Sequence, residues 1–519
     1  MNVIIVAAGT GSRLGKVCQN TPKALLQFGG VTAIERFLTK VPLTPSDMLC
    51  VVVGQDYKGE LLRGFVSQKY GAQAGFAVQP EPIGTCDAVW RAVEALGGKL
   101  APALIAWSDI MPGEELTPLP DQSVVFTTAD FPCRYNFWNG RLEEVVHGNV
   151  IGMYFVHDSP EDWLSKVRAK PRADFVEMMP ELKPVEKQIR CLDFGTEKTY
   201  LKTRDQFSTS AYARVERRGP NAVKVYSDLD NELFESEVAW YRHLPPTAKR
   251  FVPQVFQSGN RELLMRYVEG NAVDFESPDD MRDFLARVVY VLDEFFHSCK
   301  FPTTLGSLYK EYVEKPLQRS EVVRAIVPGL STDYDLMING QEYVNPRVLL
   351  AQAQYSTRLV TYLNPPVFGF LHGDPTLQNM KVRDVGTVVL FDPKGKFGDT
   401  AMYGDPKYDF AKLYYSFVGN WDGFNRGEYS FDAELDPVSK AVKFTYDIGK
   451  ARFASLGDWY LEYLQRRLGI QPTQIKLLHA LIWLRVSGYV FPQSIEQATV
   501  AFLHGTVLFN KAIEEAGLC

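Results

Sequence analysis

The chain has 519 residues, 46% of them hydrophobic and 23% charged, and a formal net charge of −6. That length exceeds one ordinary core and favours two or three domains, and the composition excludes a disordered or fibrous chain. The acidic balance argues against a nucleic-acid binder, which needs a basic face, but leaves room for small phosphorylated ligands that need only local positive charge. In chain order, Val3–Ala8, Met48–Val53, Gly75–Val78, Leu104–Trp107 and Val124–Thr127 read as strands bounded by Gly, Pro or Asp, with helical patterns at Thr32–Thr39 and Asp87–Leu96. This alternation over residues 1 to about 205 predicts an α/β layer with a largely parallel sheet, whose ligands belong at the carboxyl ends of the strands.

The first strand runs into the loop "VIIVAAGTGSRLGK", which nearly matches two phosphate loops and satisfies neither. Leu14 stands where the dinucleotide pattern needs its third glycine, and the spacing from Gly9 to Gly15, with Val17 after Lys16, breaks the P-loop. Gly9 and Gly11 let backbone N–H groups approach phosphate oxygens, while Arg13 and then Lys23, beyond the Thr21-Pro22 turn, add positive charge there. The stretch resembles the G-x-G-[ST]-R…P-K motif of sugar-phosphate nucleotidyltransferases. That resemblance implies a Rossmann-like, GT-A-like sheet domain over 1–205 in which Ala8, Gly9 and Gly11 hold the nucleotide. It assigns Gln79, Gly84 and Thr85 of "QPEPIGTCDAVWRA" to the nucleobase pocket. Asp109 of "LIAWSDI" and Asp193 of "CLDFGTEKTYLKT" become metal ligands, with Arg13 and Lys23 acting at the reacting phosphates. The family's E-K-P segment is missing from "LEEVVHGNVIGMYF", leaving Lys183 and Lys187 as positional candidates for the acceptor phosphate.

A second grammar begins near Phe207. "ARVERRGPNAVKVY" reads as a hairpin turned at Gly219-Pro220-Asn221, and beyond about residue 270 long helical patterns dominate, as in "DMRDFLARVVYVLDEFFHSC" and "QIKLLHALIWLRVSGYVF". Within "FLHGDPTLQNMKVRDVGTVVLFDPKGKFGD", His372, Asp374 and Asn379 share a loop and Asp392 follows an apolar strand. Asp374 can take the proton of an attacking hydroxyl, while Asn379 and Asp392 can meet at one metal ion across a hairpin. These residues resemble the H-G-D-x-x-x-x-N and [IL]-D-x motifs of the choline kinase and aminoglycoside phosphotransferase superfamily. The resemblance implies a bilobal, protein-kinase-like α+β domain over 206–519. In it, Lys224 of "NAVKVYSD" holds phosphates with Glu237 as its ion-pair partner, and the adenine lies near Met265 to Tyr267. His372 reads as an orienting residue and Asp409 as structural.

A kinase makes a phosphate ester and a nucleotidyltransferase consumes one, so the fusion implies consecutive steps. The expected partners are ATP, a second NTP (CTP, GTP, UTP or dTTP), Mg²⁺ and a small alcohol: sugar, polyol, hydroxy acid or amino alcohol. Aromatics such as Tyr414, Tyr415, Trp421 and Phe424 suit an amine cage or a core, and Asp405 suits a sugar. The expected product is an NDP-activated unit for surface glycan synthesis. The alternative is one active domain beside a degenerate binding or regulatory one. Seven cysteines without a C-x-x-C pair, a start without a basic signal flank, and no apolar run of ~18 residues make the expected location cytoplasmic, with no membrane span.

Overall fold

The parallel strands are apolar along almost their whole length, as strands covered on both faces must be. In the computed structural model, which describes residues 1–41, 43–98, 100, 102–160, 162–207, 213–226, 231–331, 333–383 and 387–518, the first such strand is β1 (Asn2–Val6), with Val3, Ile4 and Ile5 buried. It is followed by α1 (Ala33–Lys40), β2 (Met48–Val53), α2 (Tyr57–Tyr70), β3 (Ala74–Val78), α3 (Thr85–Ala95), β4 (Ala103–Trp107) and β5 (Ile110–Pro112). Then come β6 (Val124–Thr127), β7 (Val150–Val156), β8 (Val185–Gln188), β9 (Cys191–Asp193) and α4 (Glu197–Gln206). The central sheet runs β8-β6-β7-β4-β1-β2-β3, and β7 is its antiparallel member. Val6 pairs with both Val52 and Trp107, so the chain leaves β1, β2 and β4 at one level and their following loops are neighbours. The turn into α1 is fixed by a capping box, Glu35 N–H donating to Thr32 Oγ1 and Thr32 N–H to Glu35 Oε2.

The second half opens with an antiparallel hairpin, β10 (Ala213–Arg218) and β11 (Asn221–Tyr226), turned at Gly219-Pro220. With β12 (Val255–Gly259) and β13 (Glu262–Arg266) it makes a four-stranded sheet, β10-β11-β13-β12, carrying helix α5 (Asn231–His243) between β11 and β12. A mainly helical lobe follows. It contains the hairpin β14 (Met380–Val382) and β15 (Val388–Leu390), then α6 (Pro406–Phe417), α7 (Pro472–Val490) and α8 (Ile495–Glu515). The architecture is thus an α/β sheet unit followed by a kinase-like α+β unit. The expected boundary near residue 205 lies just before residues 208–212, which are outside the described residues.

The two units touch closely. Asn20 Nδ2 donates to the Phe431 carbonyl and Gln27 Nε2 to that of Phe491, each at 2.8 Å. A Cβ on Gly64 of α2 would lie 2.5 Å from the Ile326 carbonyl oxygen, so backbone meets backbone there.

Candidate active sites

The first site forms where the β1 loop meets the end of β4. Gly11 needs its freedom twice over: its φ is +74°, and a Cβ would lie 2.8 Å from Cys18 Cβ. Lys58 Nζ, from α2, ties this loop by donating to the Thr10 and Cys18 carbonyls at 2.7 and 3.2 Å. Lys23 Nζ donates to Asp109 Oδ2 at 2.8 Å, and Arg13 reaches the same oxygen at 4.0 Å. Antiparallel pairing of β5 with β9 sets Asp193 opposite Ile110. Both carboxylates converge on Gly195, where a Cβ would meet Asp109 Oδ2 at 2.9 Å and Asp193 Oδ1 at 3.1 Å. Burial, reinforced by the charge of Asp109, lifts the Asp193 carboxyl above its ordinary value. Gly9 is exposed on the loop, while Ala8 is partly buried against the core. The buried Gln79 amide donates to the Gly84 carbonyl at 2.9 Å and to Asp87 Oδ2 at 3.0 Å, and Thr85 Oγ1 accepts from Phe175 N–H at 2.7 Å. These residues lock the start of α3. Lys187 lies on β8, the far edge strand of the sheet, four strands from β1.

The second site lies between the small sheet and the helical lobe. Lys224 Nζ, on β11, pairs with Glu237 Oε2 of α5 at 2.7 Å and with Asp392 Oδ1 at 2.9 Å. The two carboxylates outweigh burial and hold the Lys224 ammonium above its ordinary value. Asn379 Nδ2 donates to the Asp374 carbonyl at 3.0 Å and to its Oδ2 at 3.1 Å. The β14–β15 hairpin brings Phe391 N–H to the Asn379 carbonyl at 3.0 Å, which sets Asp392 beside Asn379. Asp392 holds a φ of +57°, a backbone cost accepted in placing its carboxylate. Asp409 takes the His372 and Gly373 N–H groups at 2.9 and 2.7 Å and so pins the loop. His372 is fully buried, burial lowers its pKa below the ordinary value, and its Nδ1 accepts from Asp374 N–H at 3.3 Å. Met265 is buried on β13, while Tyr267 carries the Arg217 guanidinium 4.2 Å over its ring.

Other expected ligand groups are spent internally. Asp405 caps α6, accepting from Lys407 N–H at 3.0 Å, and takes the Tyr312 hydroxyl at 2.9 Å, so the sugar contact considered for it is replaced by a helix cap. Tyr414, Tyr415 and Phe424 are buried in a ring cluster, with Trp421 stacked on Tyr415 at 5.3 Å.

Residues 2–123 match the model of the "Nucleotidyl transferase" family and residues 201–443 that of the "Phosphotransferase enzyme family". The chain thus carries one region similar to each of these two enzyme families. Its nucleotidyl transferase region is 30% identical over 168 residues to "Bifunctional protein GlmU" of Streptococcus thermophilus (strain CNRZ 1066), covering 30% of this chain and 34% of that one. It is 27% identical over 146 residues to "Mannose-1-phosphate guanyltransferase" of Pichia angusta, covering 26% of this chain and 40% of that one. The chain therefore spans about a third to two-fifths of the curated relatives' length. Among solved structures, the CTP:phosphocholine cytidylyltransferase of Streptococcus pneumoniae (LicC) is 18% identical, with a TM-score of 0.33, over 40% of this chain and 98% of that one.

In the phosphotransferase region the motif reading missed Lys412, whose Nζ lies 3.0 Å from Asp374 Oδ1. Burial opposes the charge on Asp374, but Lys412 outweighs it and holds that carboxyl below its ordinary value. A signal existed: Lys412 follows Asp409 by one helical turn in "GDPKYDFAKL", which puts both on one face of α6. Lys58, which braces the glycine loop, carried no such signal. Among the described residues no group of three or more His, Cys, Asp or Glu side chains gathers as a metal cluster. The Asp109/Asp193 and Asn379/Asp392 pairs offer the hard oxygen donors that suit Mg²⁺, the remainder of its shell coming from water and substrate phosphates.

Proposed function

We propose that the chain is a bifunctional sugar-phosphate-type enzyme that phosphorylates a small alcohol with ATP and then activates the ester by nucleotidyl transfer. In the phosphotransferase region the alcohol oxygen attacks the γ-phosphorus, its proton passes to Asp374, and the bond to ADP breaks. Lys224, aligned by Glu237, holds the donor phosphates, and the adenine lies along Met265 to Tyr267. In the nucleotidyl transferase region an oxygen of the new phosphate attacks the α-phosphorus of an NTP and pyrophosphate leaves. Arg13, Lys23 and the N–H groups at Gly9 and Gly11 neutralise charge on the phosphates, beside a base pocket at Gln79, Gly84 and Thr85. Mg²⁺, held by Asp109 and Asp193 in one region and Asn379 and Asp392 in the other, supplies charge neutralisation at the phosphates. The domains divide near residue 205, and the product, an NDP-activated unit, suits surface glycan assembly.

The observation that carries this reading is that each half gathers carboxylates and cations from separate elements: Lys23, Asp109 and Asp193 in one, Lys224, Glu237 and Asp392 in the other. Mass spectrometry of small products, with Mg²⁺, ATP, the other NTPs and a pooled set of alcohols, tests it. An NDP conjugate that disappears in Asp374→Ala, and is replaced by a phosphate ester in Asp109→Ala, is the expected result. An ester without any conjugate from the wild type would reduce the nucleotidyl transferase region to a binding or regulatory module.

A further inference from the structure

Four cationic side chains from four segments gather around Glu311 and Asp374. Glu311, fully buried, pairs with Arg485 of α7 and with Lys315, and its Oε1 lies 3.5 Å from Lys394 Nζ. Its Oε2 also accepts from Gly398 N–H at 2.9 Å. Arg485 donates to the Tyr408 hydroxyl at 3.0 Å, and Lys394 Nζ lies 5.5 Å from the centre of the same ring. Lys412 Nζ, paired with Asp374, lies 5.1 Å from the centre of the Tyr415 ring. The Tyr415 hydroxyl is buried and has no hydrogen-bond partner among the described residues.

The charges in this cluster do not balance. Lys315, Lys394, Lys412 and Arg485 face Glu311 and Asp374, four positive charges against two negative. Within the cluster, counting Asp422, whose charge also bears on Tyr415, the positive charges outnumber the negative by four to three, while Asp392 beyond Asn379 is paired with Lys224. Lys412 and Arg485 are each 14% exposed, so this excess sits largely out of water, where an unmatched charge is costly. The cluster is reachable from solvent, because the Lys394 and Asp374 side chains are 32% and 35% exposed.

Resting on the phosphotransferase reading, we propose that the alcohol phosphorylated here is itself an anion, whose carboxylate or phosphate pairs with Lys394 and Arg485 while Asp374 faces its hydroxyl. The anionic group takes no part in bond making: the hydroxyl oxygen forms the new O–P bond, its proton goes to Asp374, and ADP leaves. The bound anion supplies the missing negative charge. An ammonium group meets repulsion at the same place, and a neutral alcohol leaves the cations unmatched.

Initial rates of ADP release by the full chain, with Mg²⁺-ATP and product masses recorded, test this on acceptors matched in skeleton. The set is glycerate, glycerol 1-phosphate, glycerol and 2-aminopropane-1,3-diol, with the corresponding acid, phosphate, neutral and amino forms of a hexose. An anionic acceptor is expected to exceed its neutral counterpart in kcat/KM by about 100-fold. The carboxylate and phosphate arms separate the two anion sources. Lys394→Gln is expected to raise KM for that acceptor about tenfold, with KM for ATP unchanged and Lys394→Arg restoring most of the loss. Because Lys394 is the more exposed and more loosely paired cation, this variant stays informative even if Arg485→Gln fails to fold around Glu311. A preference for the neutral or amino forms would overturn the anionic assignment while leaving the kinase reading intact. A parallel rise in KM for ATP would overturn it too, by giving the cations to the donor phosphates. No transfer to any acceptor would remove the kinase reading and this one with it.

Discussion

In the nucleotidyl transferase region the cation Arg13 is 69% exposed and hangs from a glycine loop; in the phosphotransferase region Lys412 and Arg485 are 14% exposed and rise from helices. The first site draws its cations from one short stretch, residues 13 to 23, and orders them by docking that loop on Asp109. The second draws its charges from strands, loops and helices more than two hundred residues apart, and each is held by a partner before any ligand arrives. On the proposed reading, a polyphosphate is the same on every NTP and a loop of glycines with two cations suffices to hold it, whereas positioning a small alcohol against a base needs side chains fixed from several directions.

If that contrast is right, the sharpest break comes from Asp374→Asn, expected to lower phosphoryl transfer about 10³-fold while nucleotidyl transfer on a supplied phosphate ester is untouched. Lys23→Met is the mirror experiment, with a loss of about 10²-fold in NDP-conjugate formation and no change in ADP release. Glu237→Gln loosens Lys224, which keeps Asp392 as a partner, so a stability cost of about 1–2 kcal/mol in urea unfolding and a raised KM for ATP are expected.

The next test concerns the seam between the regions, where Glu496 of α8 faces Asn20 and Tyr429 and burial pushes its carboxyl up from 4.5 to about 7. Unfolded, it loses its proton near 4.5; folded, it keeps it to about 7, so its contribution to stability falls as pH rises between those values and is level above them. Glu496→Gln should therefore leave stability at pH 4 unchanged and raise it at pH 8 by about 3 kcal/mol, read from urea midpoints. The smallest effect is Thr32→Ala, which removes the cap of α1 and is expected to cost about 1 kcal/mol without altering either activity.

How much of this the sequence disclosed follows the same contrast. The β1 loop, the strand ending at Asp109, and the His372–Asn379 loop were legible because their parts are neighbours in the chain and their spacing carries the geometry. The hairpin between Asn379 and Asp392 was legible for the same reason, an apolar strand of the right length lying between two polar groups. Lys58, Lys412, Arg485 and Glu311 were not, because a lone charged residue on a helix reads as a solvated face until the packing of several elements is known. Asp405 failed in the opposite direction: the Asp-Pro pair before a helical pattern was a cap signal, and a ligand role was entertained for it.

The contacts of Asn20, Gln27 and Gly64 with the carbonyls of Phe431, Phe491 and Ile326 bear on how this chain can be taken apart. A protein cut near residue 207 would bare the Asn20 and Gln27 amides and Gly64 of α2 on one piece, and unanswered carbonyls on the other. The two units are therefore poor candidates for dissection or for exchange as cassettes. Made as separate polypeptides in one cell, the pieces should reassemble without a covalent link and elute together by size exclusion, whereas either alone should be poorly behaved.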